Sequence, residues 1–267
     1  AYVQLIDVTN WLNHYYLVAL LLLLASLMPL GRATSLGALL FPKARMENFP
    51  AWCTYLLRFQ VAVVYVNAGL AKATSDWLVH AQPLNIWLSS RSSTPVLGAL
   101  FDQRATAFFF SWAGFLFDTT IVLFLLWRRT RAVAYVVVLA FHATTWWLFP
   151  IGMFPFIMCA SALVFMSPPS PSRLLRPRAG AQAPCVYRVH PAFIALGGIF
   201  CAVQLLAPLR SHLYGGNVLW HEQGMRFAWK VMVREKNGSI AYVVESPREH
   251  RSWYVSPRKY LTDRQER

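Results

Sequence analysis

Apolar runs approaching the length of a bilayer recur along this chain, and no other feature restricts its fold as much. They cover Tyr15 to Leu30, Trp52 to Ala71, Ala105 to Trp127, Ala132 to Phe149, a stretch ending at Met166, and Pro191 to Leu209. A helix of about 20 apolar residues crosses the hydrocarbon core. In lipid a backbone must satisfy its own hydrogen bonds, which a helix does. Charged residues make up 13% of the 267 positions, where a soluble domain carries about a quarter. The expected fold is an all-α polytopic membrane bundle of about six spans over residues 1–209. Residues 210–267 are expected to start an extracytoplasmic segment with a small β-hairpin. There Val231 to Lys236 and Ser239 to Val244 flank Asn237-Gly238, a pair suited to the positive φ values of a type I′ turn.

Charge supplies orientation. Lysine and arginine total 25 against 11 acids, a formal +14. The basic residues lie in connectors and in the last sixty or so positions, not on one face interleaved with stacking aromatics. Lipid headgroups and orientation signalling account for them, and nucleic acid is not an expected partner. Basic short loops face the cytoplasm. Arg32, Lys43 and Arg45, then Arg128, Arg129 and Arg131, then Arg173, Arg176 and Arg178 occupy alternate connections, so one topology places all three groups inside. In that topology the ends of spans bearing His14, Lys72, His142 and His212 share the extracytoplasmic side. Residue 1 is alanine in mid-pattern, so the chain is expected to be part of a longer protein.

Metal and nucleophile motifs are missing from the sequence. Cys53, Cys159, Cys185 and Cys201 have no CxxC spacing, and His221-Glu222-Gln223-Gly224-Met225 lacks the second histidine of a zinc helix. No metal is expected. The chemistry rests on Lys72, which closes the second span after Tyr65-Val66-Asn67-Ala68-Gly69-Leu70-Ala71. A lysine at a span end can snorkel its ammonium into water. Equally, an amine held partly out of water is easier to discharge and becomes a base. Histidines such as His14 and His142 can orient or relay protons. Tyr65, Trp146, Met153 and His212 are candidates to wall a pocket for a flat hydrophobic molecule. Arg58 and Asp118, embedded in the second and third spans, are expected to pair with each other or with backbone, in a structural role.

Several stretches carry a family resemblance. They are Trp11-Leu12-Asn13-His14-Tyr15-Tyr16-Leu17; Leu57-Arg58-Phe59-Gln60 leading to Tyr65-x-x-Ala68-Gly69-x-x-Lys72 and Asp76-Trp77; Phe141-His142 with Phe149-Pro150-Ile151-Gly152-Met153-Phe154; and Ser211-His212-Leu213-Tyr214 with Phe227-Ala228-Trp229-Lys230. In this order the chain resembles the vitamin K-dependent gamma-glutamyl carboxylase family, in its HTTM (horizontally transferred transmembrane) domain, and its compact Arg-rich character resembles bacterial members. The resemblance implies that Lys72 deprotonates vitamin K hydroquinone, with His14 and His142 lining the site. Oxygenation of the quinol to its epoxide would then drive removal of a glutamate γ-proton from a peptide and addition of carbon dioxide. The implied co-substrates are vitamin K hydroquinone, dioxygen and carbon dioxide. The implied partners are membrane lipid and a glutamate-containing peptide. Ala71 stands where the family commonly has a second lysine. Two other readings fit the residues: a non-catalytic quinone- or lipid-binding membrane protein, and a quinol-epoxidising enzyme with a non-glutamate substrate.

Overall fold

The computed structural model describes residues 11–29, 40, 50–166, 189–235, 241–248, 250–256 and 260. Two compact units are present, residues 1–233 and 234–267. The first is helical: α1 (Asn13–Ser26), α2 (Ala51–Leu70), three short helices α3 (Ser75–Leu78), α4 (Leu84–Ser89) and α5 (Gly98–Phe101), then α6 (Arg104–Leu126), α7 (Arg131–Leu148), α8 (Phe154–Ala162), α9 (Pro191–Leu209) and α10 (Val218–His221). A 3-10 turn, Leu163–Phe165, extends α8.

Local chemistry sets many of these boundaries. Pro50 precedes α2, and prolines open α8 and α9, where a missing N–H costs nothing. Thr74 caps α3 by accepting from the Trp77 N–H. Two arginines close helix C-termini from outside. Arg131 donates to the carbonyls of Leu125 and Leu126 at the end of α6. Arg58 donates to those of Val164 and Phe165 at the end of the 3-10 turn. Guanidinium groups satisfy the orphan carbonyls that every helix leaves there. Arg58 is therefore satisfied by backbone, one of the two arrangements expected for it, and it donates to these carbonyls and not to Asp118.

Among the described residues, four helices are long and apolar enough to cross a membrane: α2, α6, α7 and the stretch Pro191–Leu213 that contains α9. Of the about six spans expected, these four reach spanning length; α1 has 14 residues and the α8 segment ends at Phe165, both short of a bilayer's width. The core lies where α1, α2, α6, α7 and α8 meet, around Tyr65, Phe117, Ile121, Val138, Met158 and Phe165. Outward faces remain apolar, with Leu22, Leu123, Val133, Ile194 and Leu206 all exposed. Such a surface suits lipid rather than water.

The second unit contains an antiparallel hairpin, β1 (Tyr242–Ser246) paired with β2 (Arg251–Val255), Val244 opposite Trp253. The hairpin is real, but its place is corrected. Its turn falls between Ser246 and Arg251, and Val231–Glu235 is not a strand. Asn237 and Gly238 lie outside the described residues. Beta-rich residues drive the new pairing: Tyr242, Val243 and Val244 face Trp253, Tyr254 and Val255.

The orientation read from charge has a direct check. A cysteine placed at Arg129 should react with a membrane-impermeant thiol reagent only from the cytoplasmic side, and one at Ser90 only from outside. The opposite pattern would overturn that orientation.

Candidate functional site

Among the described residues α2 and α6 make the most extensive helix pair, and a glycine sets how close they come. A Cβ on Gly69 would lie 2.6 Å from Thr119 Cγ2 and 2.9 Å from the Thr119 backbone nitrogen. Only a residue without a side chain fits there. This contact brings the end of α2 against the interior of α6 instead of its tip. α3, α4 and α5 fold back along the same helix. Lys72 is thereby roofed over: it is 6% exposed, not at an open mouth as its sequence position suggested.

The amine is fully engaged. Lys72 Nζ donates to Asp118 Oδ2 at 2.8 Å, to the Ala68 carbonyl at 3.1 Å and to the Val231 carbonyl at 3.5 Å. It also lies 5.3 Å from the Trp77 ring centroid, a cation–π arrangement. Trp77 is itself locked to α6: its Nε1 donates to the Ser111 carbonyl at 2.8 Å, and Ser111 Oγ donates back to the Trp77 carbonyl. Asp118 is buried too. Sequence reasoning gave it a structural role, paired with Arg58 or satisfied by backbone. The signal that could have placed it was the Ala68-Gly69 step one turn before Lys72, which marks where a neighbouring helix must come close.

Beside the ion pair lies a concave, mostly apolar cavity of the kind small-molecule sites use. Its walls are mostly aromatic and aliphatic: Trp77 and Trp87, Phe110, Phe141, Phe149 and Phe154, with Val64, Leu84, Ile151 and Met158. The titratable groups lining it are Lys72, Asp118, Tyr65 and His142. Tyr65 Oη and His142 Nε2 are 3.1 Å apart, while His142 Nδ1 is buried with no hydrogen-bond partner. A buried polar atom of that kind calls for an explanation, and a ligand is one.

The final wall comes from far along the chain. Val231 and Met232 line the cavity. They belong to a strap held down by the buried Trp229, which stacks on Tyr16 at 5.0 Å, and by Asn13 Nδ2 donating to the Lys230 carbonyl at 3.3 Å. Phe227, Trp229 and Met232 all have positive φ, between 51° and 67°. Non-glycine residues seldom adopt that conformation, and strain of this type gathers at functional sites. Sequence reasoning missed the strap because its alternating apolar residues read as a strand.

Of the residues singled out from sequence, Lys72, Tyr65 and His142 line one cavity. His14 is buried one ring behind it: Phe154 lies 6.1 Å from His14 and 6.0 Å from His142. Trp146, Met153 and His212 are exposed and do not line it.

Comparison with protein families decides the kinship. The HTTM domain model matches residues 1–169, and the model described as the vitamin K-dependent gamma-carboxylase lumenal domain matches residues 189–267. The chain belongs to the vitamin K-dependent gamma-carboxylase family. No solved structure matches it. In this carboxylase-family membrane protein, both matched regions contribute to the cavity: Tyr65, Lys72 and His142 from the first, Val231 and Met232 from the second.

Proposed function

We propose that the chain is a gamma-glutamyl carboxylase-like, multi-pass membrane enzyme in which Lys72 is the base toward vitamin K hydroquinone. Residues 1–209 would form the transmembrane domain and 210–267 the beginning of an extracytoplasmic segment, with the site on that side. The observation that carries this reading is the buried Lys72 amine in the wall of an aromatic cavity. A lone snorkelling lysine would have its amine in water.

The residues fit a reduced naphthoquinone. Flat aromatic walls match a bicyclic ring. Lys72 stands ready for a ring hydroxyl. The bound quinol with dioxygen supplies a base far stronger than any side chain, which removal of a glutamate γ-proton requires. The protein's own part is narrower: it orients the ring, accepts one hydroxyl proton at Nζ and holds the resulting positive charge beside the developing anion. Trp77, Phe149 and the strap keep water out, which limits wasteful reprotonation. Tyr65 fixes the His142 ring through Nε2.

Membranes containing the protein, given vitamin K hydroquinone and oxygen, should form the 2,3-epoxide. A co-expressed Glu-rich peptide should gain the mass of one carboxylate per modified residue. Epoxide without peptide carboxylation would point to a non-glutamate substrate. Neither product would leave a binding protein.

A further inference from the structure

Lys72 presents a problem that the reading above does not solve. Its three hydrogen bonds all run to acceptors: two carbonyls and the Asp118 carboxylate. A nitrogen donating to three acceptors is an ammonium, with no lone pair to receive a proton. Lys72 and Asp118 are 6% and 7% exposed, and the cavity beside them is lined largely by hydrocarbon. Bulk water is poorly placed to collect a proton from Nζ. The two carbonyl partners cannot hold one. Among the described residues, Asp118 is the ionisable group bonded to the amine.

We propose that Asp118 is the proton store of this site: its carboxylate takes a proton from the Lys72 ammonium, leaving a neutral amine that accepts the hydroxyl proton of the ligand. The inference rests on the reading of the ligand as a quinol. The proton count closes. A proton moves from Nζ to Oδ2, breaking an N–H bond and making an O–H bond, and the charged pair becomes a neutral one. A ligand hydroxyl then gives its proton to Nζ, leaving a ligand oxyanion beside a renewed ammonium and a protonated Asp118. Net charge in the cavity is zero before and after, so no isolated charge is created in a poorly hydrated space. The chemistry favours the first transfer there, since an ion pair loses solvation on burial that a neutral acid–amine pair does not need. The 2.8 Å separation is already that of a charge-assisted hydrogen bond.

A different role would give the opposite result. If Asp118 only anchors the ammonium by its charge, an amide there makes the amine easier to discharge, and turnover holds or rises. If Asp118 is the store, the amide blocks the transfer. The other titratable groups on the cavity wall are Tyr65 from α2 and His142 from α7, bonded to each other. The lining residues of α3, α4, α8 and the strap titrate nowhere.

Epoxide formation is measured from neutral to alkaline pH in membranes carrying the wild type, Asp118→Asn and Asp118→Glu. The expected result for Asp118→Asn is a loss of about 100-fold at neutral pH, recovering as pH rises and the amine discharges without help. Asp118→Glu keeps part of the rate. A rate unchanged or raised in Asp118→Asn, or a loss equal at every pH, overturns the inference. A second readout needs no turnover and no foldable variant. Infrared difference spectra of the purified wild type on binding 2-methyl-1,4-naphthohydroquinone should show a new protonated-carboxyl stretch that shifts in heavy water. That band without epoxide would leave the proton store standing and refute the carboxylase-like reading. Epoxide formed without the band would do the reverse.

Discussion

Lys72→Met should cost the folded state about 3–5 kcal/mol and lower epoxide formation by about 10²- to 10⁴-fold. The two losses have separate origins, and a second substitution separates them. Removing the amine leaves Asp118 buried without its counter-charge, since Lys72 both donates a hydrogen bond to it and forms its ion pair. Replacing both members by apolar residues of similar volume removes that penalty, and such exchanges are commonly neutral or stabilising. Lys72→Met with Asp118→Leu should therefore unfold in detergent at a temperature close to the wild type's while remaining without activity. If the double variant is as unstable as the single one, the pair is not the buried, dry contact described here. Should the double variant be active, the amine is not the base.

Gly69→Val should be nearly as damaging, by geometry alone. The new Cβ would overlap the Thr119 methyl and approach its backbone nitrogen to 2.9 Å. A flexible side-chain tip can move aside; an α6 backbone atom can move only with its helix. Overpacking of this kind costs about 1–3 kcal/mol. The larger effect is on the site, because Lys72 follows Gly69 by three residues and reaches Asp118 across the same contact. Forcing the helices apart lengthens the 2.8 Å bond, and a 1 Å misplacement can cost about 100-fold in rate. Gly114→Ala is the control. Its Cβ would meet only Trp77 Cζ2, at 3.7 Å, which is ordinary contact. That substitution should leave the unfolding temperature unchanged or slightly raised, since alanine is the better helix former by about 1 kcal/mol.

The contrast between these glycines shows what the sequence disclosed and what it withheld. Apolar length announced α2, α6, α7 and α9, because the bilayer requirement is one-dimensional and can be read residue by residue. At α1 and α8 the apolar composition extends further than the helix. Lys72 and His142 were legible as candidates because ionisable groups among apolar neighbours are conspicuous. Which group meets which was not legible. Arg58 and Asp118 looked like natural partners by charge, yet Arg58 caps a helix end and Asp118 takes Lys72. Pairing depends on helix rotation and stagger, and the one local sign of these was Gly69. The strap was hidden for another reason: Trp229 and Met232 sit at positive φ, against the preference of their own side chains, so tertiary packing overrides the local pattern. Trp146 and Met153 had the right chemistry for a pocket but face away from it.

The most direct test compares vitamin K epoxide formation by wild-type membranes with that of membranes carrying the Lys72→Met/Asp118→Leu variant, matched for folded protein. Steady epoxide production by the first and none above background by the second is the predicted result. Equal rates would contradict the assignment of the enclosed amine as the base.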